Sequence, residues 1–125
     1  MSAVVEEHVI GIPPKHASVC RPDDLEPGWG ETALLEGQQI ALYRTESEDF
    51  FAASHHCPSS GAKVMARGIL GDTSIAGQRV PTVACPLHKE VYRLDTGACL
   101  NSDSQPLPVH KLIEIEGQLW MEQSR

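Results

Sequence analysis

The stretch Thr82-Val83-Ala84-Cys85-Pro86-Leu87-His88-Lys89-Glu90-Val91-Tyr92-Arg93-Leu94 decides the fold of this chain. It consists of an apolar run, a short turn with a cysteine and a histidine, and a run in which apolar and polar residues alternate. Pro86 fixes one backbone angle of the turn, so a soft thiolate and an imidazole three residues apart can point at one metal centre. The stretch therefore predicts two strands joined by a loop with two candidate metal ligands, Cys85 and His88.

A second loop of the same kind lies upstream. It reads His55-His56-Cys57-Pro58-Ser59-Ser60-Gly61, and here too a cysteine precedes a proline. The two loops could therefore face each other, with Cys57 near Cys85. The other two cysteines, Cys20 and Cys99, sit inside strand-like runs, where a free thiol usually packs as a small apolar side chain.

Short glycine-centred turns divide most of the chain into strands. Glu36-Gly37 and Glu116-Gly117 each separate two β-prone runs, and Asp95-Thr96-Gly97 does the same after the quoted stretch. Glycine at such a turn supplies the positive φ that a tight hairpin needs. No segment sustains the 3.6-residue period of an amphipathic helix. The sequence therefore predicts an all-β domain of stacked antiparallel sheets.

Four segments do not read as strands. Residues 1–15 contain two neighbouring prolines and predict an extended N-terminal arm, which leaves residues 16–125 as the domain. Residues 21–25 predict one helical turn, because a proline and two acidic residues suit a helix start. Residues 61–68 fit either a short turn of helix or irregular packing, and residues 71–77 read as a glycine-rich insertion between the two cysteine loops.

Composition argues against two classes of partner. The chain has 125 residues, 10 Lys+Arg against 17 Asp+Glu, and a net charge of −7. Because the field of such a chain repels phosphate, we expect no nucleic-acid partner. No apolar run is long enough to cross a bilayer, and the first residues carry acid where a signal peptide needs base. We therefore expect a cytoplasmic protein without a membrane partner.

Three separated phrases resemble one known family. They are residues 60–72, SGAKVMARGILGD, residues 85–89, CPLHK, and residues 94–100, LDTGACL. The two Cys-Pro loops resemble those of Rieske domains, in which two cysteines hold one iron of a [2Fe–2S] cluster and two histidines hold the other. Together, loops and phrases resemble the small subunit of the cytosolic NAD(P)H-dependent assimilatory nitrite reductase. The resemblance implies a Rieske-like fold with two facing loops.

The same resemblance implies a function. In that family a large subunit carries sirohaem, FAD and a [4Fe–4S] cluster and reduces nitrite to ammonia for nitrate assimilation, and the Rieske-like small subunit is needed for activity. This chain would then be an accessory subunit docked on the large subunit. It has no Gly-x-Gly-x-x-Gly dinucleotide fingerprint. We therefore expect it to belong to an oxidoreductase complex without being catalytic alone.

The resemblance fails at one cluster ligand. The family pattern places metal ligands at Cys57, Cys85 and His88, but the first-loop histidine falls on Ser59. A neutral hydroxyl is a hard, weak donor to iron. Ser59 is thus a poor fourth ligand, and loss of the cluster is the favoured interpretation, which leaves the chain without a cofactor of its own.

Two other donors lie just before the first loop. His55 or His56 could act as the fourth ligand by folding over the cluster, although His55 is better explained as a cap that hydrogen-bonds backbone groups. Two cysteines and two histidines could also bind Zn²⁺ tetrahedrally. A bound [2Fe–2S] cluster, Zn²⁺ in the same site and no metal all remain open at this point.

Two alternative functions follow from the same residues. A Rieske-type [2Fe–2S] ferredoxin would carry electrons to a reductase or oxygenase, but it needs a full set of ligands. A cluster-free binding module would keep the scaffold and change its partner. Under either function, four cations that flank the two loops could form a rim that docks on a partner: Lys63, Arg67, Lys89 and Arg93.

Overall fold

The computed structural model describes residues 16–110 and 112–122, which form ten strands and two 3-10 turns. The predicted N-terminal arm, residues 1–15, lies outside the described residues. In these two ranges no helix is long and apolar enough to cross a membrane. The strands are β1 His16–Cys20, β2 Trp29–Leu35, β3 Gln38–Arg44, β4 Phe50–Ser54, β5 Ile69–Ile75, β6 Gln78–Ala84, β7 Val91–Arg93, β8 Val109–His110, β9 Leu112–Ile115 and β10 Gln118–Glu122.

The strands assemble into three sheets, and every pairing within them is antiparallel. One sheet has the order β1-β10-β9, the central sheet β2-β3-β4-β8, and the third β5-β6-β7. The prediction of an all-β domain of stacked antiparallel sheets is confirmed.

The central sheet explains the stacking, because it is apolar on both faces. Successive residues of a strand point to opposite faces. On β3, Ile40 and Leu42 belong to one buried cluster, with Leu119 of β10, while Ala41 and Tyr43 belong to another. The second cluster also contains both loop cysteines and residues of β6 and β7. A sheet buried on both faces must be covered on both, and the two outer sheets do this.

Three two-residue turns share one backbone conformation. Glu36-Gly37, Ala76-Gly77 and Glu116-Gly117 have φ of 50° and 81°, 52° and 83°, and 52° and 78°. Positive φ at both positions matches the type I′ turn, whose twist suits a hairpin. The first and third turns were predicted from the sequence.

The interpretation of residues 71–77 as an inserted connection is wrong. Residues 69–75 form β5, which pairs with β6 in full register from Ile69↔Ala84 to Ile75↔Gln78. Gly71 and Asp72 have weak strand propensity, so composition suggested a loop. Leu70 of this strand nevertheless packs against the core, and pairing with β6 overrides the local preference.

The remaining irregular segments are short. The helical turn predicted at residues 21–25 is a 3-10 turn, Pro22–Asp24, in which the Arg21 amide donates to Asp24 at 2.8 Å. Residues 61–68 contain a second 3-10 turn, Met65–Arg67. The β-prone run that follows the predicted Asp95-Thr96-Gly97 turn, residues 98–100, contributes only a single bridge between Tyr92 and Cys99.

Gly97 provides a test of this backbone. Its φ is +87°, and a Cβ built on it would lie 2.0 Å from the Leu107 carbonyl oxygen. Gly77 has a φ of +83°, yet a Cβ there meets nothing within 4 Å. We expect Gly77→Ala to lower the free energy of unfolding by about 1–2 kcal/mol, the usual cost of left-handed backbone. Gly97→Ala should cost about 1–3 kcal/mol more, because the Leu107 backbone must move.

Urea denaturation of the two variants measures this difference. Equal losses of stability at Gly77 and Gly97 would contradict the close approach of the Gly97 and Leu107 segments.

Candidate functional site

The first cysteine loop is closed by two backbone hydrogen bonds. The Gly61 amide donates to the Cys57 carbonyl at 2.7 Å, and the Cys57 amide donates to the Ala62 carbonyl at 2.8 Å. Gly61 has a φ of +77°, which turns the chain back toward the sheet. The loop follows β4, at one end of the central sheet.

The second cysteine loop has the same hydrogen bonds at the same spacing. The Lys89 amide donates to the Cys85 carbonyl at 2.9 Å, and the Cys85 amide donates to the Glu90 carbonyl at 2.8 Å. Lys89 occupies the place of Gly61 and has a φ of +66°, which is uncommon for a residue with a side chain. The two loops are therefore copies of one backbone turn, one following β4 and the other following β6.

The two loops bring their cysteine sulfurs into contact. The Sγ atoms of Cys57 and Cys85 lie 3.2 Å apart, with the Cys85 thiol donating to the Cys57 sulfur. The two side chains are 1% and 0% exposed. Cys20 and Cys99 are also free thiols, and each packs against a different core cluster, as the sequence predicted.

The two thiols differ in acidity. Burial raises the pKa of Cys57, but hydrogen bonds from Ser59, Ser60 and the Cys85 thiol outweigh burial and lower the pKa below its ordinary value. Burial raises the pKa of Cys85, and the neighbouring Cys57 raises it further, against the lowering effect of the His88 and Leu87 amides. The pKa of Cys57 therefore lies below that of Cys85.

Glu90 is a member of the site that the sequence analysis missed. Its carboxylate supplies an oxygen that, with the sulfurs of Cys57 and Cys85, forms a group of ligand atoms all within 4.8 Å of one another. The Oε1 atom of Glu90 is buried without a hydrogen-bond partner. In sequence Glu90 looks like an ordinary strand residue. The only signal in the sequence is its position five residues after Cys85. Ala62 holds the equivalent position in the first loop, five residues after Cys57.

Of the other predicted ligands, His88 stands apart from this group, whereas Ser59 contacts one of its sulfurs. Both side chains are exposed. Among the described residues, the Cys57, Cys85 and Glu90 group is the only one in which three His, Cys, Asp or Glu ligands approach so closely. His88 therefore does not join the two sulfurs in this conformation. The Ser59 hydroxyl lies 3.3 Å from the Cys57 sulfur.

His55 acts as the cap of the first loop. Its Nδ1 accepts a hydrogen bond from the Ala66 amide at 3.1 Å, and its carbonyl accepts from the Val64 and Met65 amides at 3.0 Å each. Burial is the main cause that lowers the pKa of His55, so the ring stays neutral and able to accept. The capping interpretation is confirmed. His56 is exposed and donates its amide to the Ser54 hydroxyl at 3.2 Å.

The surface around the loops is apolar and basic. Arg93 makes a bidentate ion pair with Asp95, at 2.9 and 2.8 Å, so its charge is already paired with a carboxylate of this chain. None of the ion pairs found within residues 16–110 and 112–122 includes the other three predicted rim cations. Together with two exposed leucines, 54% and 40% exposed, they form what we call the loop rim: Lys63, Arg67, Lys89, Leu87 and Leu100.

Comparison with known proteins gives one family match. Residues 15–122 match the family described as the Rieske-like [2Fe-2S] domain. The nitrite reductase (NADH) small subunit of Salmonella typhimurium strain LT2 is 36% identical over 87 residues, which cover 69% of this chain and 77% of the relative.

Two further relatives place the match in context. A crystal structure described as an NADH-dependent nitrite reductase small subunit from Mycobacterium tuberculosis superposes with a TM-score of 0.77 at 34% identity, covering 88% of this chain and 96% of the other. The large subunit of nitrite reductase [NAD(P)H] from Klebsiella oxytoca contains a stretch that is 32% identical over 104 residues, which cover 83% of this chain and 10% of that subunit.

Proposed function

Since this chain belongs to the Rieske-like [2Fe-2S] domain family, and within it to the nitrite reductase small subunits, we propose that it docks on a nitrite reductase large subunit as an accessory subunit. The complex would reduce nitrite to ammonia with NAD(P)H in the cytoplasm, as a step of nitrate assimilation. Sirohaem, FAD and a [4Fe–4S] cluster would reside on the large subunit, as in the family that this chain resembles. This chain has no dinucleotide fingerprint with which to bind a nicotinamide or flavin cofactor itself.

One observation carries the docking proposal. A domain similar to 83% of this chain occurs inside the large subunit of a relative, where it makes up 10% of the polypeptide. A domain covalently joined to the catalytic chain works at a high effective concentration beside it. A separate chain of the same family would reach the same position by non-covalent docking.

The donors of this chain do not fit a Rieske cluster. Cys57 and Cys85 converge as the two thiolates of one iron would require. The second iron requires two imidazoles, and in the first loop the Ser59 hydroxyl stands where one of them is needed. The proposed role is therefore docking and support of the complex, with the cluster site degenerate, rather than electron transfer by a ferredoxin.

The loop rim is the surface we propose for docking. Leu87 and Leu100 expose apolar area beside the loops, and the Asn101 side chain ties their segments together by donating to the Lys89 carbonyl at 3.1 Å. Exposed apolar side chains within a polar rim are typical of protein interfaces. The cations Lys63, Arg67 and Lys89 favour an acidic partner surface although the chain as a whole is acidic.

We expect binding to the cognate large subunit to depend on this rim. Leu87→Asp should weaken binding by about tenfold or more, because it places a charge in a buried contact, and Lys89→Glu should weaken it by severalfold. Arg79→Glu makes the same charge change on exposed β6 surface, at the opposite end of the strand from the Cys85 loop. The Arg79→Glu variant should bind the large subunit as tightly as the unmodified chain does.

Biolayer interferometry with purified large subunit measures these affinities. Absence of binding by the unmodified chain would overturn the proposed function. Equal weakening by Arg79→Glu and Lys89→Glu would overturn the rim as the docking surface.

The degenerate cluster site has its own test. After anaerobic reconstitution with iron and sulfide, we expect the unmodified chain to retain far less than two iron and two sulfide per molecule. Ser59→His supplies the missing imidazole and should raise both contents toward that ratio, whereas Ser60→His, one residue away, should not. Stoichiometric iron and sulfide in the unmodified chain would show that the cluster is retained.

A further inference from the structure

We propose that Cys57, Cys85 and Glu90 form a mononuclear binding site for a soft divalent cation of the Zn²⁺ class. This site goes beyond the docking function, because it concerns one ion bound within the chain. It also differs from a cluster site in its ligands, since it uses a carboxylate of the second loop and neither His88 nor Ser59.

The spacing of the three donors suits a single ion. Zn²⁺ binds sulfur at about 2.3 Å and carboxylate oxygen at about 2.0–2.2 Å, so ligands of a tetrahedral ion lie about 3.3–3.8 Å apart. The two sulfurs are 3.2 Å apart and the Glu90 oxygen is within 4.8 Å of both. A separation of the sulfurs by about half an ångström and an approach of Glu90 by no more than about 1.5 Å would complete three of four positions.

The Glu90 carboxylate is a second, independent indication of a ligand. A buried carboxylate oxygen normally has a hydrogen-bond partner, and one without a partner is costly. Oε1 of Glu90 has none, and no ion pair within the described residues includes Glu90. A cation between Glu90 and the sulfurs would give this carboxylate a partner.

The backbone holds the donors in place before any ion arrives. The Cys85 amide donates to the Glu90 carbonyl at 2.8 Å, which holds the Glu90 backbone next to the cysteine of its own loop. Cys57 is presented by the matching loop of the other sheet. Two thiolates and one carboxylate prefer Zn²⁺ or Co²⁺ to Mg²⁺ or Ca²⁺, which need all-oxygen sites. Ala62 at the equivalent position of the first loop leaves the fourth coordination position to water.

Cobalt provides a direct test with the full-length chain. Metal-free protein, reduced with a phosphine, is titrated anaerobically with Co²⁺, and the sulfur-to-cobalt charge-transfer band is followed in the near ultraviolet. We expect one Co²⁺ per chain, displaced by Zn²⁺. Cys57→Ser and Cys85→Ser should each reduce the band, and Glu90→Gln should weaken binding by about tenfold or more.

Matched controls keep the result specific. Cys99→Ser removes a thiol outside the site, and Glu114→Gln removes an exposed carboxylate of β9, so both should bind as the unmodified chain does. Zn²⁺ should also raise the melting temperature of the unmodified chain and of both controls, and raise that of Glu90→Gln by less at the same Zn²⁺ concentration. This readout remains available if a cysteine variant folds poorly.

Three results would overturn the proposal. The first is the absence of a sulfur-to-cobalt band in the unmodified chain. The second is unchanged binding by Glu90→Gln together with loss of binding by His88→Gln, which would assign the carboxylate's place to the imidazole. The third is protein that purifies with equal amounts of iron and acid-labile sulfide.

Discussion

The structure depends on four backbone hydrogen bonds that close two identical turns. Each cysteine carbonyl accepts from the amide four residues later, and each cysteine amide donates to the carbonyl five residues later, over 2.7–2.9 Å. One turn ends a strand of the central sheet and the other ends a strand of the third sheet. Because the core between these sheets is shared, the turns present Cys57 and Cys85 to each other, and their sulfurs pack as part of that core.

Much of this fold could be predicted from the sequence. The Cys-Pro pairs marked both loops, glycine marked the turns at Gly37 and Gly117, and alternating apolar residues marked the strands. Strand β5 was missed because local propensity at Gly71 favours a loop, whereas the strand is stabilised by pairing with β6. Pairing of that kind depends on distant residues, and no short window of sequence contains it.

The candidate site was only half predictable. The meeting of Cys57 and Cys85 followed from the repeated Cys-Pro pattern, and the backbone-capping role of His55 followed from its place before the loop. The approach of Glu90 could not be seen, because it requires knowing that both loops have the same conformation. Their sequences conceal this: Lys89 takes up a left-handed conformation where the first loop has Gly61. Backbone hydrogen bonds at Cys85 impose that conformation on a residue that does not prefer it.

The two cysteine loops connect the core to a surface. The sulfurs are buried in the core, and the same two loops lead to the exposed Leu87 and the cations of the loop rim. Packing that fixes the turns therefore also fixes the proposed docking surface, with or without an ion between them.

The meeting of the two loops through Cys57 and Cys85 is tested most directly by mapping disulfides after mild oxidation of the folded chain. A disulfide needs sulfurs at about 2.05 Å, so thiols in contact should link first. Peptide mass spectrometry should find Cys57 joined to Cys85, with Cys20 and Cys99 still reduced. Cys57 joined to Cys20 or Cys99, or both loop thiols left reduced while others pair, would contradict the account.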